Sequence, residues 1–200
     1  VTIAAAVTHE TLGFKVPSPV TEVGLPYTTG MVTVDYWLSV PTAMVALRLS
    51  TQFTGFDNRT PTNYEVGDVQ LEVSSVSMGN PHAVVYVADP ERAPVTELGP
   101  LLEQHPVFPN RVNVEFVSVE SRTRIRQRTW ERGTGETLAC GSGACAVAVV
   151  SILRGVVDRA LCVQLRGGEL EIRWPQDTAS VEMTGPAAEV YRGHYPLPEV

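Results

Sequence analysis

The sequence predicts an α+β fold in which mixed and antiparallel strands wrap a central apolar helix. Short runs rich in β-branched residues, broken by proline and glycine, recur from Met31 onward. Residues 143–153 read as a helix that is apolar on every side, and such a helix must be covered by strands on most sides. No internal repeat, low-complexity run or clear linker divides the chain. In order, residues 1–30 carry Pro17, Pro19 and Pro26, which break any regular element. Strands are predicted at 31–38, 44–49 and 69–73, and the turn Met78-Gly79-Asn80-Pro81-His82 runs into a further strand at 83–87. A short helix over 96–105 is stopped by Pro106. Strands at 112–119 and 122–130 precede the apolar helix, and strands at 161–165, 170–174 and 179–183 close a sheet.

Two hundred residues with 44% apolar side chains build one ordinary core or two small lobes. No apolar run is long enough for a membrane span, so no membrane partner is expected. The chain begins at Val1 without a signal-peptide pattern, and is read as processed or cut. A net charge of −7 argues against a nucleic-acid partner, although Arg122, Arg124, Arg126 and Arg128 alternate along one strand. That row reads as a solvated or salt-bridged strand face. Three cysteines make no disulfide framework and fit a reducing, cytoplasmic compartment.

Cys140 stands between a glycine-rich turn and the start of the apolar helix. The first N–H groups of a helix lack partners and the dipole adds positive charge, so an anion is favoured there and the thiol pKa is expected to fall. Gly141 and Gly143 are expected to supply the tight turn. Cys140 reads either as a catalytic thiol or as a small apolar residue in a buried turn. Cys145 and Cys162 read as core, and the scattered histidines offer no zinc ligand set, so no metal is expected. Asn80 and His82 suit turn chemistry and ligand contact equally. Asn113, between two valines, needs a partner if buried. Glu131 and Arg132 form a plain surface pair, or Arg132 clamps a carboxylate. A pyridoxal enzyme would have to use Lys15, the sole lysine, which argues against one, and the turn places cysteine where a hydrolase elbow would place serine.

Four motifs carry a resemblance: Ser77-Met78-Gly79-Asn80-Pro81-His82, Arg111-Val112-Asn113-Val114-Glu115-Phe116, Glu131-Arg132-Gly133-Thr134-Gly135-Glu136-Thr137 and Ala139-Cys140-Gly141-Ser142-Gly143-Ala144-Cys145. In order and spacing they resemble the C-terminal half of diaminopimelate epimerase, and Met183-Thr184-Gly185-Pro186-Ala187 extends the match over roughly residues 69–193. The resemblance implies a diaminopimelate-epimerase-like fold and cofactor-independent interconversion of LL- and meso-diaminopimelate, on the route to lysine and peptidoglycan. In that family two cysteines flank the α-carbon, one removing a proton as thiolate and the other delivering one as thiol. It implies Cys140 as one of them, with Gly141 and Ser142 holding the α-carboxylate at the helix start. It implies Asn80, Asn113 and Arg132 at the distal end of the substrate, Glu131 at the reacting amine and His82 lining the site. Helix N-termini aimed at the carboxylate would stabilise the carbanion without metal or pyridoxal.

The family's other cysteine lies in an N-terminal motif of the Cys-Gly-Asn-Gly-x-Arg kind, whereas the first cysteine of this chain is Cys140. Residues 1–40 are therefore expected to be a poorly matched remnant of a first domain, 41–185 the epimerase-like domain, and 186–200 a tail that would pair with the first domain. Without that domain, a strand over 188–191 would leave an open edge and favour a homodimer. The expected function is diaminopimelate epimerisation, impaired in the chain by itself because it supplies half of a two-base site. Another cofactor-independent racemase or isomerase of the same fold, or a non-catalytic binding module, are the alternatives.

Overall fold

The computed structural model describes residues 61–186 in full and the backbone of three strands before them. The segment over 188–191 and most of the tail lie outside the described residues. The early strands are β1 (Phe14–Lys15), β2 (Thr33–Ser39) and β3 (Met44–Ser50). Then come β4 (Thr62–Val66), β5 (Val69–Ser77), β6 (Pro81–Tyr86), helix α1 (Val95–Glu103), β7 (Asn113–Ser121), β8 (Arg124–Glu131) and β9 (Gly135–Thr137). Helix α2 (Gly141–Leu153) is followed by β10 (Ala160–Leu165), β11 (Gly168–Arg173) and β12 (Val181–Pro186).

The strands join in one sheet in the order β1-β2-β3-β12-β11-β10-β8-β7-β6-β5-β4, with β9 paired to β8. It is mixed: β6 with β7 and β8 with β10 are parallel, and every other pairing among the described residues is antiparallel. The two parallel pairs arise because α1 and α2 each carry the chain between neighbouring strands.

Every residue of α2 from Gly143 to Ile152 is buried. The helix meets β5, β6, β7, β10, β11 and β12, so the sheet curls around it as its all-round apolarity requires. Val76, Val84, Val117, Ile125, Val163 and Ile172 face it and form the larger core. Each such valine contributes about 1.5–3 kcal/mol through burial. On the opposite face of β4–β8, α1 buries Val95, Gly99 and Leu102, a spacing of four and three that marks one helical stripe. These close a second core with Val73, Val85, Val114 and Phe116. Strands β6 and β7 thus lie between two helices and are buried on both faces.

The structure departs from the sequence reading at three places. Helix α1 starts one residue before the predicted position and ends at Glu103, and Pro100 lies inside it. Strands β4 and β9 were not predicted, β9 because its three residues sit in the glycine-rich stretch. Cys162 is not core: Leu161, Val163 and Leu165 alternate inward along β10, which turns Cys162 outward to Arg124 and Glu169. The arginine row is salt-bridged: Arg122 to Asp158, Arg124 to Glu120 and Glu169, Arg126 to Glu120 and Asp89, and Arg128 to Glu136.

Candidate active site

The parallel register of β6 and β7 sets His82 opposite Asn113, and the pleat puts Glu115 on the same face as both. That face looks onto the first turn of α2. Before β6, Gly79 adopts a φ of 94°, and the Met78 N–H donates to the Asn80 carbonyl at 3.0 Å, which delivers Asn80 to the mouth of the strand.

Cys140 is the N-cap of α2, with extended backbone, and is only 8% exposed. Its Sγ accepts from the Gly143 N–H at 3.4 Å and lies 3.6 Å from the Ser142 hydroxyl. The same hydroxyl accepts from Asn80 Nδ2 at 3.2 Å. Asn80 Oδ1 is 3.1 Å from His82 Nε2, and His82 Nδ1 is 2.7 Å from Glu115 Oε1. A continuous line of hydrogen bonds therefore runs from the buried Glu115 to the cysteine. The N–H groups of Gly141 and Ser142, in the first turn, have no acceptor within the helix and can face an anion.

Asn113 is buried and its amide is held at both ends: Nδ2 donates to the Pro81 carbonyl at 2.9 Å and Oδ1 accepts from the Arg132 N–H at 3.0 Å. It ties the start of β6 to the turn after β8. Arg132 is exposed, and its guanidinium donates to the Asn110 carbonyl at 3.0 Å. Glu131 accepts from the Thr137 hydroxyl at 2.6 Å. The structure thus links Asn80, His82, Ser142 and Cys140 directly, while Asn113, Glu131 and Arg132 form a second group on the β8–β9 turn.

Two sequence expectations at the helix start are corrected. Burial pushes the Cys140 thiol above its ordinary value, with the carboxyls of Glu115 and Glu131 adding to the rise. The hydrogen bonds from Ser142 and Gly143 oppose that rise without cancelling it. Gly141 and Gly143 do not make a tight turn; they lie within α2, neither at positive φ. Gly143 is needed for close approach, since a Cβ there would sit 2.8 Å from Glu115 Oε1; one on Gly141 would lie 3.2 Å from Met183 Cε, the flexible end of a side chain that can give way.

Cys145, behind Cys140 on α2, is fully buried, and its thiol is pushed up to about 12, first by burial and then by Cys140. Among the described residues no group of three His, Cys, Asp or Glu side chains could hold a metal ion, and no helix is long and apolar enough to cross a membrane. Sequence reasoning missed Glu115 as a member of the site, and Gln127, whose Nε2 would lie 3.1 Å from a Cβ on Gly143. The alternation Asn113-Val114-Glu115 was the available signal for the first, because it puts both polar side chains on one strand face.

Among solved structures, the chain is similar in fold to a probable proline racemase from Agrobacterium radiobacter, with a TM-score of 0.58 at 16% identity over 83% of this chain and 59% of that one. It is also similar to a hydroxyproline epimerase from Agrobacterium vitis, with a TM-score of 0.56 at 15% identity over 84% and 59%. Curated relatives at higher identity are diaminopimelate epimerases. That of Leptospira biflexa is 59% identical over 129 residues, 64% of this chain and 46% of the relative. That of Synechococcus elongatus is 46% identical over 170 residues, 84% of this chain and 59% of the relative. The chain therefore spans about half the length of the curated relatives it matches. Residues 74–190, which contain every group in the hydrogen-bonded line to Cys140, match the family described as diaminopimelate epimerase, and the chain belongs to that family.

Proposed function

We propose that this site serves the cofactor-independent epimerisation of LL- to meso-diaminopimelate, with Cys140 as one of two acid–base groups. The observation that carries the reading is the cysteine capping α2, with the Gly143 N–H donating to its sulfur, the Ser142 hydroxyl 3.6 Å from it and two helix N–H groups without an intrahelical acceptor beside it. As thiolate, Cys140 takes the α-proton. The electron pair left on the α-carbon delocalises into the carboxylate, held by the N–H groups of Gly141 and Ser142. Glu131 receives the reacting amine, and Asn80, Asn113 and Arg132 grip the polar far end, with His82 lining the site. Residues 41–185 carry these groups, and the free cysteines fit a cytoplasmic setting.

Inversion needs a proton on the opposite face. Cys145 is sealed behind Cys140 and Cys162 belongs to a salt-bridged strand face, so neither can provide it. We therefore propose that the second acid lies outside residues 1–200, which carry one half of the site. The test is proton NMR of meso-diaminopimelate in D₂O with the reduced chain and with Cys140→Ala. The expected result is slow loss of an α-proton signal that depends on Cys140 and produces no LL isomer. Full conversion by the chain alone would refute the half-site reading, and exchange that survives in the variant would remove Cys140 from the chemistry.

A second reading, a non-catalytic binding module on the same fold, draws support from the raised thiol of Cys140. Complete absence of exchange, with diaminopimelate still bound by calorimetry, would favour it.

A further inference from the structure

The line of hydrogen bonds beneath Cys140 has a direction, and its far end is a carboxyl with no assigned role. Asn80 Nδ2 donates to Ser142, so Asn80 Oδ1 accepts, and the nitrogen facing it, His82 Nε2, must carry a hydrogen. The other ring nitrogen, Nδ1, faces Glu115 Oε1 at 2.7 Å, and that contact also needs one hydrogen. Ser142, having accepted from Asn80, keeps its own hydrogen for Cys140 Sγ. Both Glu115 and His82 are fully buried, and Glu115 Oε2 has no hydrogen-bond partner among the described residues. An unshared negative charge there would be very costly.

We propose that Glu115 is a positioning residue that shares one proton with His82, fixing hydrogen on His82 Nε2 and so directing Asn80 and Ser142 to donate toward the sulfur of Cys140. Whether the proton rests on Oε1 or on Nδ1, the pair is neutral overall and the direction is the same. Burial raises the Glu115 carboxyl and the neighbouring His82 opposes that rise. Gly143 is the residue that lets the pair lie under the helix, since a Cβ there would meet Glu115 Oε1 and Gln127 Nε2. The other ionisable groups facing this cluster are Glu131 from β8 and Cys145 from α2. The reverse arrangement would place the hydrogen on Nδ1 alone, turn the Asn80 amide over, and make the Cys140 thiol a donor to Ser142. It would favour thiol where the proposed one favours thiolate.

The inference rests on reading Cys140 as an acid–base thiol, but its test needs no turnover, so failure of diaminopimelate chemistry leaves it decidable. The ring nitrogens of His82 are read by ¹⁵N NMR of the labelled chain, assigned with His82→Gln. Cys140 reactivity is read as the iodoacetamide rate from pH 6 to 10, resolved by peptide mass, in wild type, Glu115→Gln and Glu115→Leu. Wild type is expected to show hydrogen on Nε2 across the range. The amide introduced by Glu115→Gln can donate to Nδ1 and keep the direction, so this variant should stay within about three-fold of the wild-type rate. Glu115→Leu leaves Nδ1 unpaired and should slow alkylation at neutral pH about ten-fold, the effect of a one-unit rise in the thiol pKa. The proposal is overturned if Nε2 lacks hydrogen in wild type, if both variants slow alike, or if neither does. Should Glu115→Leu fail to fold, the ring-nitrogen pattern and Glu115→Gln decide.

Discussion

Polar side chains in this protein are fixed by shared partners, and Glu136 shows the consequence most simply. It lies on β9 with 15% of its side chain exposed, 2.7 Å from Arg128 and 3.0 Å from Arg166. Arg128 is itself held by the carbonyls of Pro90 and Glu91. The Arg128 hydrogen bond, with help from Arg166, keeps the Glu136 carboxyl below the usual carboxylate range against the opposing effect of burial. A carboxyl depressed in the folded state stabilises fully above its unfolded pKa, and that contribution is lost as pH falls through the folded value. Glu136→Gln should therefore lower stability at neutral pH by about 1–2 kcal/mol. The difference from wild type should shrink as the medium is acidified below about pH 4, the unfolded carboxylate range, measured by urea unfolding at a series of pH values. A constant difference at all pH values would mean that packing, not ionisation, accounts for the loss.

Among elements, α1 shows how a helix can set a site it does not touch. Gly99 presents no side chain, which lets the Trp130 ring lie against the helix: a Cβ there would come within 2.6 Å of Trp130 Cγ. Trp130 Nε1 then donates to Glu103 at 2.7 Å, and Glu103 also accepts from the Gly133 N–H at 2.9 Å. The helix thereby pins both sides of Glu131 and Arg132. Gly99→Ala gains helix propensity, about 1 kcal/mol, but must displace the indole, a cost of about 1–3 kcal/mol or more for overpacking. Net destabilisation is expected, with a shifted near-UV signal from the tryptophan and, under the proposed function, weaker diaminopimelate binding; an increase in melting temperature would contradict the packing argument. This element was legible in sequence as a short helix over 96–105 stopped by Pro106. Its role was not, because Gly99 reads as a helix weakness until the indole it accommodates is seen. The strands were legible as β-branched apolar runs in β6 and β7 and by alternation in β8, and illegible in β9, whose glycine and polar residues carry no hydrophobic period.

For the molecule as a whole, the decisive feature is that one helix serves both as core and as site. The all-round apolarity of α2 was readable from its composition alone, and so was the need for strands around it. The chemistry of Cys140 was read less well, because helix-start electrostatics was weighed without desolvation, and the burial that the same apolar helix demands acts against the thiolate. The two roles have a common consequence for dynamics. Since α2 is covered by β5, β6 and β7 on one side and β10, β11 and β12 on the other, it cannot expose its backbone without separating both groups of strands. Its amides from Ala148 to Ile152 should exchange with deuterium only through global unfolding, with the free energy found by denaturant, while β9, three residues paired to β8 alone, should exchange at lower cost. Native-state hydrogen exchange with increasing denaturant makes the comparison directly. If the α2 amides open several kcal/mol below the global value, the helix is not the common core, and the hydrogen bonds at Cys140 would then be maintained by the β6–β7 face alone.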